Sequence, residues 1–249
     1  MATKLKDYYD IAYAHSLAEK IKSVYPQFDS ALFIGELEEH LEKLEFGRRQ
    51  VLLAQSLNKV FNLDYADVID VFTKILGPEI EGGLGMFTEG WWLWPIGKYV
   101  ELYGFKEFNV SINFSKELTK RFTSEFCMRP IIAQFPKESM DVLLTWSKDS
   151  NVRVRRLSSE CIRIRLPWSK KLEVALDFFE IYSAILGNLK DDCDKSIQKS
   201  VANNLNDLYK VSDLKFETLV SRWTCESMSE QCKWIIKHGS RTKNKALIT

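Results

Sequence analysis

Long apolar runs are missing from this chain: no stretch of about 18 apolar residues occurs, so no membrane-spanning helix is expected. The opening residues, MATKLKDYYD, hold no apolar segment of the secretory type, and no signal peptide is expected. Histidine is scarce, with His15, His40 and His238 far apart. The five cysteines, at 127, 161, 193, 225 and 232, are odd in number, scattered and without C-x-x-C spacing. That excludes a disulfide framework and fits reduced thiols in a cytoplasmic protein. Cys225, Cys232 and His238 lie near one another, but their spacing matches no common zinc pattern. The two cysteines therefore read as buried thiols, and neither a metal nor a cofactor is expected. No Ser/His/Asp or Cys/His motif supports a nucleophile. Neither G-x-G-x-x-G nor a Walker ending is present, which excludes the usual phosphate cradles. Period-two alternation is absent over any useful length, which leaves an all-α chain.

What is present fits a folded protein: 45% of the 249 residues are hydrophobic and 28% charged, enough for a sizeable core. The net charge of +1 conceals an asymmetry. Residues 1–90 hold 9 Lys/Arg and 15 Asp/Glu, a net of −6, and residues 91–249 carry a net of +7. A basic C-terminal portion is compatible with a nucleic-acid face on one side. Uneven solubilising charge explains it equally well.

Helical periodicity begins early. Asp29 reads as an N-cap, with Ala31, Leu32, Ile34, Leu37, Leu41 and Leu44 on one apolar face and Phe46-Gly47 as the end. Two further helices follow, marked by Val51, Leu52, Leu53, Leu57, Val60 and Phe61 and by Val68, Ile69, Val71, Phe72, Ile75 and Leu76. Residues 77–97 hold six of the eleven glycines and read as a loop. Trp91, Trp92 and Trp94 within it are core anchors on the plainer reading and a base- or sugar-contacting platform on the other. Helices are expected again over 96–103, 110–122, 123–134, 138–148, 151–164, 170–186, 192–210, 213–225 and 228–238. Pro130 is expected to kink its helix or start a new one, and Pro167 to break the chain after Leu166.

A weak internal repeat links KDSNVRVRRLSSE at 148–160 to KDDCDKSIQKSVANN at 190–204, with a fainter copy at 228–239. The offset from Arg156 to Lys199 is 43 residues, within the 40–47 of HEAT and armadillo helix pairs. Stacked pairs of that kind bring residues one period apart onto one surface.

Residues 147–173 concentrate the charge, with eight Lys/Arg against three Asp/Glu. One carboxylate, Glu160, sits between Arg156 and Arg163. Glu125 and Asp207 lie 35 residues before it and 47 after it, each beside apolar neighbours. Singly, each acid reads as an ion-pair partner. As a repeat-matched trio in a positive field they are candidates for chemistry.

The segments RRLSSECIRIRLPW, FTSEFCMRP, VANNLNDL and WIIKHGSRT, with YPQFDSALF, WPIGKYV and YGFKEF, occur in one order along the chain. In these the chain resembles the AlkC branch of the AlkC/AlkD family of HEAT-like-repeat DNA glycosylases, which remove alkylated bases. The resemblance implies one HEAT-like-repeat domain over 1–249, with helical repeats stacked into a curved solenoid around a concave basic groove. It implies excision of cationic N-alkylated bases, of the 3-methyladenine type and possibly 3-methylcytosine or 7-methylguanine, from duplex DNA without full base flipping. Asp207, Glu160 and Glu125 would form the acidic cluster at the lesion. Arg156, Arg163, Arg165 and Trp168 would face the DNA, and Arg153, Lys170, Lys199, Lys237 and Arg241 extend that basic surface. The partner would be double-stranded DNA holding alkylated bases, bound by a monomer away from any membrane.

The chain departs from the family pattern where Cys161, Ile162 and Ile164 replace smaller or stiffer residues; their bulk is expected to narrow the approach to the sugar-phosphate. The ending KNKALIT is also altered, and no C-terminal immunoglobulin-like extension is expected. Two other functions compete: a HEAT-like module that grips damaged or bent DNA without excision, and a protein–protein scaffold.

Overall fold

A computed structural model of the chain describes residues 4–81, 89–224 and 227–246. Among these residues every regular element is helical, as the missing strand periodicity requires. The chain divides into two compact units, Met1–Ile131 and Ile132–Thr249.

The first unit contains α1 (Ile11–Val24), α2 (Ser30–Glu38), α3 (Phe46–Val60), α4 (Tyr65–Ile75), α5 (Trp94–Tyr103), α6 (Phe108–Thr119) and the start of α7 (Glu125–Gln134). Asp10 and Asp29 cap α1 and α2, accepting the amides of Tyr13 and Leu32 at 2.8 and 2.9 Å. The helix expected to run from Asp29 to Phe46 is broken. α2 stops at Glu38, a 3₁₀ turn covers Leu41–Lys43, and Phe46 opens α3 rather than closing α2. The reason is Arg49, only 4% exposed, whose guanidinium donates to the carbonyls of Leu44, Lys6, Tyr9 and Glu42. One side chain thus satisfies carbonyls that an interrupted helix leaves open.

The expected loop at 77–97 is shorter than its composition suggests. Glu89–Leu93 form a 3₁₀ turn and α5 starts at Trp94 with Pro95 in its first turn, where a missing N–H costs nothing. Residues 82–88 of that loop lie outside the described residues. Trp94 is buried, in edge contact with Phe46 at 4.7 Å. Trp91 and Trp92 are half-buried, and their carbonyls accept the hydroxyls of Tyr9 and Tyr13 at 2.7 Å each. α7 runs through Pro130 without dividing.

The second unit holds α8 (Pro136–Trp146), α9 (Val152–Glu160), α10 (Val174–Asp177), α11 (Phe179–Leu189), α12 (Lys195–Tyr209), α13 (Asp213–Thr224), α14 (Glu230–Gly239) and α15 (Arg241–Ala246). α12 packs between α9 and α14, while α8 packs on α11. The expected helices 151–164 and 170–186 are corrected. The first ends at Glu160, and the second resolves into α10 and α11 after a helix-free turn.

The repeat read from sequence has a physical counterpart. Asn151 caps α9 and Asp194 caps α12, and each is preceded by the same side-chain turn, from Asp149 and Asp192. Bonds between neighbouring helices then join residues about one HEAT-type period apart: Ser159 to Ser200, Ser147 to Asn188, and Glu180 to Arg222. Asp207 and Arg163 belong to the same register.

Gly239 sets how closely α14 approaches α12. A Cβ there would meet Leu205 Cβ at 2.7 Å and the Ala202 carbonyl at 3.1 Å. Gly239→Ala should cost about 1–3 kcal/mol by overpacking, against at most about 1 kcal/mol of recovered helix propensity. Thermal denaturation is expected to show Tm lowered by about 2–6 °C; an unchanged or higher Tm would show that the contact is loose.

Candidate functional site

α9 ends where chain chemistry changes. Glu160 is its last residue, and the Arg163 amide donates back to the Glu160 carbonyl at 3.3 Å. The chain then turns, and the Leu172 amide reaches the Ile164 carbonyl at 3.2 Å. Cys161, Ile162 and Ile164 are fully buried. Their bulk therefore fills the core and does not project toward a ligand, contrary to the expectation that it narrows the approach. Arg165, Trp168 and Lys170, on the same turn, are exposed. Trp168 is 70% exposed and has φ of 63°. That left-handed conformation costs a bulky residue about 1–3 kcal/mol and persists only when the surrounding turn enforces it.

Arg163 turns inward, into the same apolar layer. Its Nη1 donates to Glu160 Oε1 at 2.9 Å and its Nε to Asp207 Oδ2 at 3.1 Å. Arg156 Nη2 stands 3.9 Å from the same Glu160 oxygen. Glu160 and Asp207, 6% and 3% exposed, thus meet at one guanidinium although they belong to helices a repeat apart. A second network underlies them. The Ser159 and Ser200 hydroxyls are 2.8 Å apart. Asn204 Nδ2 donates to the carbonyls of Ser159 and Ser200, and the Tyr182 hydroxyl donates to Asn204 Oδ1 at 3.3 Å.

These surroundings push the two acids apart. Burial opposes ionisation of Glu160, but Arg156, Arg163 and a hydrogen bond from Ser200 outweigh it and hold the carboxyl below its ordinary value. At Asp207 burial prevails over Arg163 and the Arg165 backbone amide, and its carboxyl is raised. Burial likewise lifts the Tyr182 hydroxyl, with the Asp207 charge adding to it. Two carboxyls of one cluster with opposed shifts is the pattern by which neighbouring acids take different protonic roles.

The remaining basic residues separate by burial. Arg153 is 2% exposed and Arg163 8%, both within the unit at the depth of the acid pair. Arg156 is largely covered, its side chain 15% exposed. Lys199 and Lys237 are exposed, and Arg241 is half-buried, donating to Asn203 Oδ1 at 3.0 Å. Burial, aided by Arg163 and partly offset by Asp207, holds Arg241 below its ordinary value. Glu125 belongs to the first unit, where it is 5% exposed and accepts the Thr123 hydroxyl. Among the described residues no cluster of His, Cys, Asp and Glu fits a metal ion. Cys127, Cys161 and Cys232 are buried thiols, Cys193 is an exposed one, and Cys225 lies outside the described residues.

Residue periodicity did not reveal Arg163 as the link. The available signal was a lone charge within the apolar run Cys161, Ile162, Ile164. Ser200, Asn204 and Tyr182 were also missed, although the Ser159–Ser200 spacing matches the repeat.

No protein-family model matches the chain. It is 31% identical over 239 residues to YhaZ of Bacillus subtilis (strain 168), spanning 96% of this chain and 64% of YhaZ. Its fold is similar to that of the Pseudomonas fluorescens alkylpurine DNA glycosylase AlkC bound to DNA containing an abasic site analog. That match has a TM-score of 0.84 and 29% identity, over 98% of this chain and 66% of the other. The chain therefore spans just under two thirds of both relatives.

Replacing Arg163 by Met strands two buried carboxylates. The loss at neutral pH should be about 3–5 kcal/mol. Glu160, held below its ordinary value, contributes stability that is present above its unfolded pKa and is lost as pH falls through the folded one. Asp207, raised, works in the opposite sense: its protonation on acidification favours the folded state. The deficit of Arg163→Met should therefore narrow as pH falls through the carboxylate range. Urea unfolding from neutral to mildly acidic pH measures this; a deficit independent of pH would show that Arg163 acts by packing alone.

Proposed function

We propose, from its similarity in sequence and fold to the AlkC glycosylase, that the chain is an AlkC-type HEAT-like-repeat DNA glycosylase that excises cationic N-alkylated bases from duplex DNA. The observation that carries the reading is the meeting of Glu160 and Asp207 at the Arg163 guanidinium, next to a turn that exposes Arg165, Trp168 and Lys170.

An N3- or N7-alkylated purine is positively charged and is already a good leaving group. Its departure needs little proton donation. It needs negative charge beside the base and the developing sugar cation, and a water placed to attack. The logic matches glycoside hydrolysis, where two carboxyls attend a similar cation. In this proposal Glu160, held ionised, supplies the fixed negative charge. Asp207, whose carboxyl is raised, takes the proton of the attacking water. Arg163 keeps the two acids at one point and limits their repulsion. The exposed indole of Trp168 offers a π face to the sugar cation, worth about 0.5–2 kcal/mol.

Arg165, Lys170, Lys199, Lys237 and Arg241, with the partly covered Arg156, are proposed to bind phosphates. The base is proposed to stay largely in the stack while the protein approaches from the backbone. Its class is the 3-methyladenine type, with 7-methylguanine and 3-methylcytosine as further candidates. The protein would act as a cytoplasmic monomer without a cofactor.

One observation favours a second reading. Both acids are already ion-paired, which is also how a structural clasp would look in a module that binds damaged DNA without cutting it.

Base release decides between the two. Incubation with methylated duplex DNA should free a cationic methylated base and leave an abasic site. Glu160→Gln and Asp207→Asn keep shape and hydrogen bonds, and each should lower the rate by about 10²-fold or more while far-ultraviolet circular dichroism stays unchanged. Salt-dependent DNA binding with no base release from any methylated substrate would establish the second reading instead.

A further inference from the structure

α14 carries Trp234 and His238 one turn apart, with their rings parallel within 9° and centroids 4.8 Å apart. Trp234 is nevertheless 37% exposed, one of the few large apolar side chains left at the surface. A cleft of about 420 Å³ adjoins it, lined by Lys195, Glu230, Gln231, Lys233 and Lys237 as well as Trp234 itself. Lys233 is paired with Glu230 at 2.7 Å. The Lys195 ammonium lies 5.6 Å from the indole centroid and donates to Gln198 at 3.0 Å. Burial, together with Arg241 and Lys199, holds His238 below its ordinary value, so near neutral pH it is an uncharged ring stacked on the indole.

An aromatic plate among lysines is complementary to a nucleotide, with a π face for the base and ammonium groups for its phosphates. In an intact duplex each base face is covered by its neighbours, so a side-chain ring finds no face to stack on. An unpaired nucleotide presents one. We propose that Trp234, backed by His238 and flanked by Lys195, Lys199 and Lys237, is a subsite for an unpaired nucleotide of the bound DNA, separate from the place where the alkylated base reacts. The proposal rests on the reading of the chain as a DNA-binding protein. Lys195 is exposed, so its ammonium can leave the indole for a phosphate when a base arrives.

α12 ties this subsite to the acid pair. Lys195 and Asp207 are both on that helix, twelve residues apart, which is about 18 Å of helix axis. With stacked nucleotides about 3.4 Å apart, the unpaired nucleotide would lie roughly five steps from the reacting one.

Fluorescence anisotropy at one salt concentration, with the full chain and unmodified DNA, tests the idea without depending on any excision. The probes are a short duplex and the same duplex with an oligothymidine tail. The wild-type protein should bind the tailed DNA roughly 5- to 150-fold more tightly than the blunt duplex, the range expected for stacking one base. Trp234→Ala should abolish that ratio and Trp234→Phe should keep most of it. Equal affinity of the wild-type protein for the two DNAs, or a ratio that survives Trp234→Ala, would overturn the subsite and leave the glycosylase reading standing. Failure to bind either DNA at low salt would overturn both.

Discussion

One guanidinium shared between two buried carboxylates constrains the rest of the second unit. Arg163 can reach Glu160 because the chain turns immediately after α9, and it can reach Asp207 because α12 lies beside α9 in repeat register. Neither acid would be tolerated as an unpaired charge at this depth, and pairing alone would make the group merely structural. What sets it apart from a symmetric clasp is the imbalance. Arg156 and Ser200 add to the stabilisation of Glu160, whereas Asp207 has less support against the cost of burial. The same cation therefore leaves one acid held ionised and the other more ready to take a proton.

Register is what delivers that geometry. Asn151 and Asp194 begin α9 and α12 with equivalent caps, so their side chains advance in step and the Ser159–Ser200 contact pins the middle of the pair. Gly239 lets α14 approach α12 closely enough for Arg241 and Thr242 to bond Asn203 and Asn206. Most of the polar groups between these helices are spent on fixing position.

Much of this was legible in the chain. The absence of strand periodicity fixed the class, Asp29 was readable as a cap, and the 43-residue offset between Arg156 and Lys199 named the register that the hydrogen bonds confirm. Helix ends were less legible for definite reasons. Residues 161–164 continue the apolar character of α9, and periodicity cannot distinguish a buried turn from another helical turn. Phe46 looked like an end because Gly47 followed it, whereas Arg49 collects the carbonyls of a break that comes earlier. The inward course of Arg163 was hidden by its basic neighbours, which share its charge but not its burial. Trp168 was marked by the motif that contains it, but its φ of 63° is a property of the closed turn.

The opposed shifts of the two acids are the central claim, and carboxyl-selective ¹³C NMR titration measures them directly. In ordinary surroundings an aspartic acid, near 3.8, gives up its proton before a glutamic acid, near 4.5. In this protein Glu160 should titrate below the ordinary glutamic acid value and Asp207 above the ordinary aspartic acid value. A Glu160 carboxyl at or above its ordinary value, or an Asp207 carboxyl at or below its own, would contradict the account.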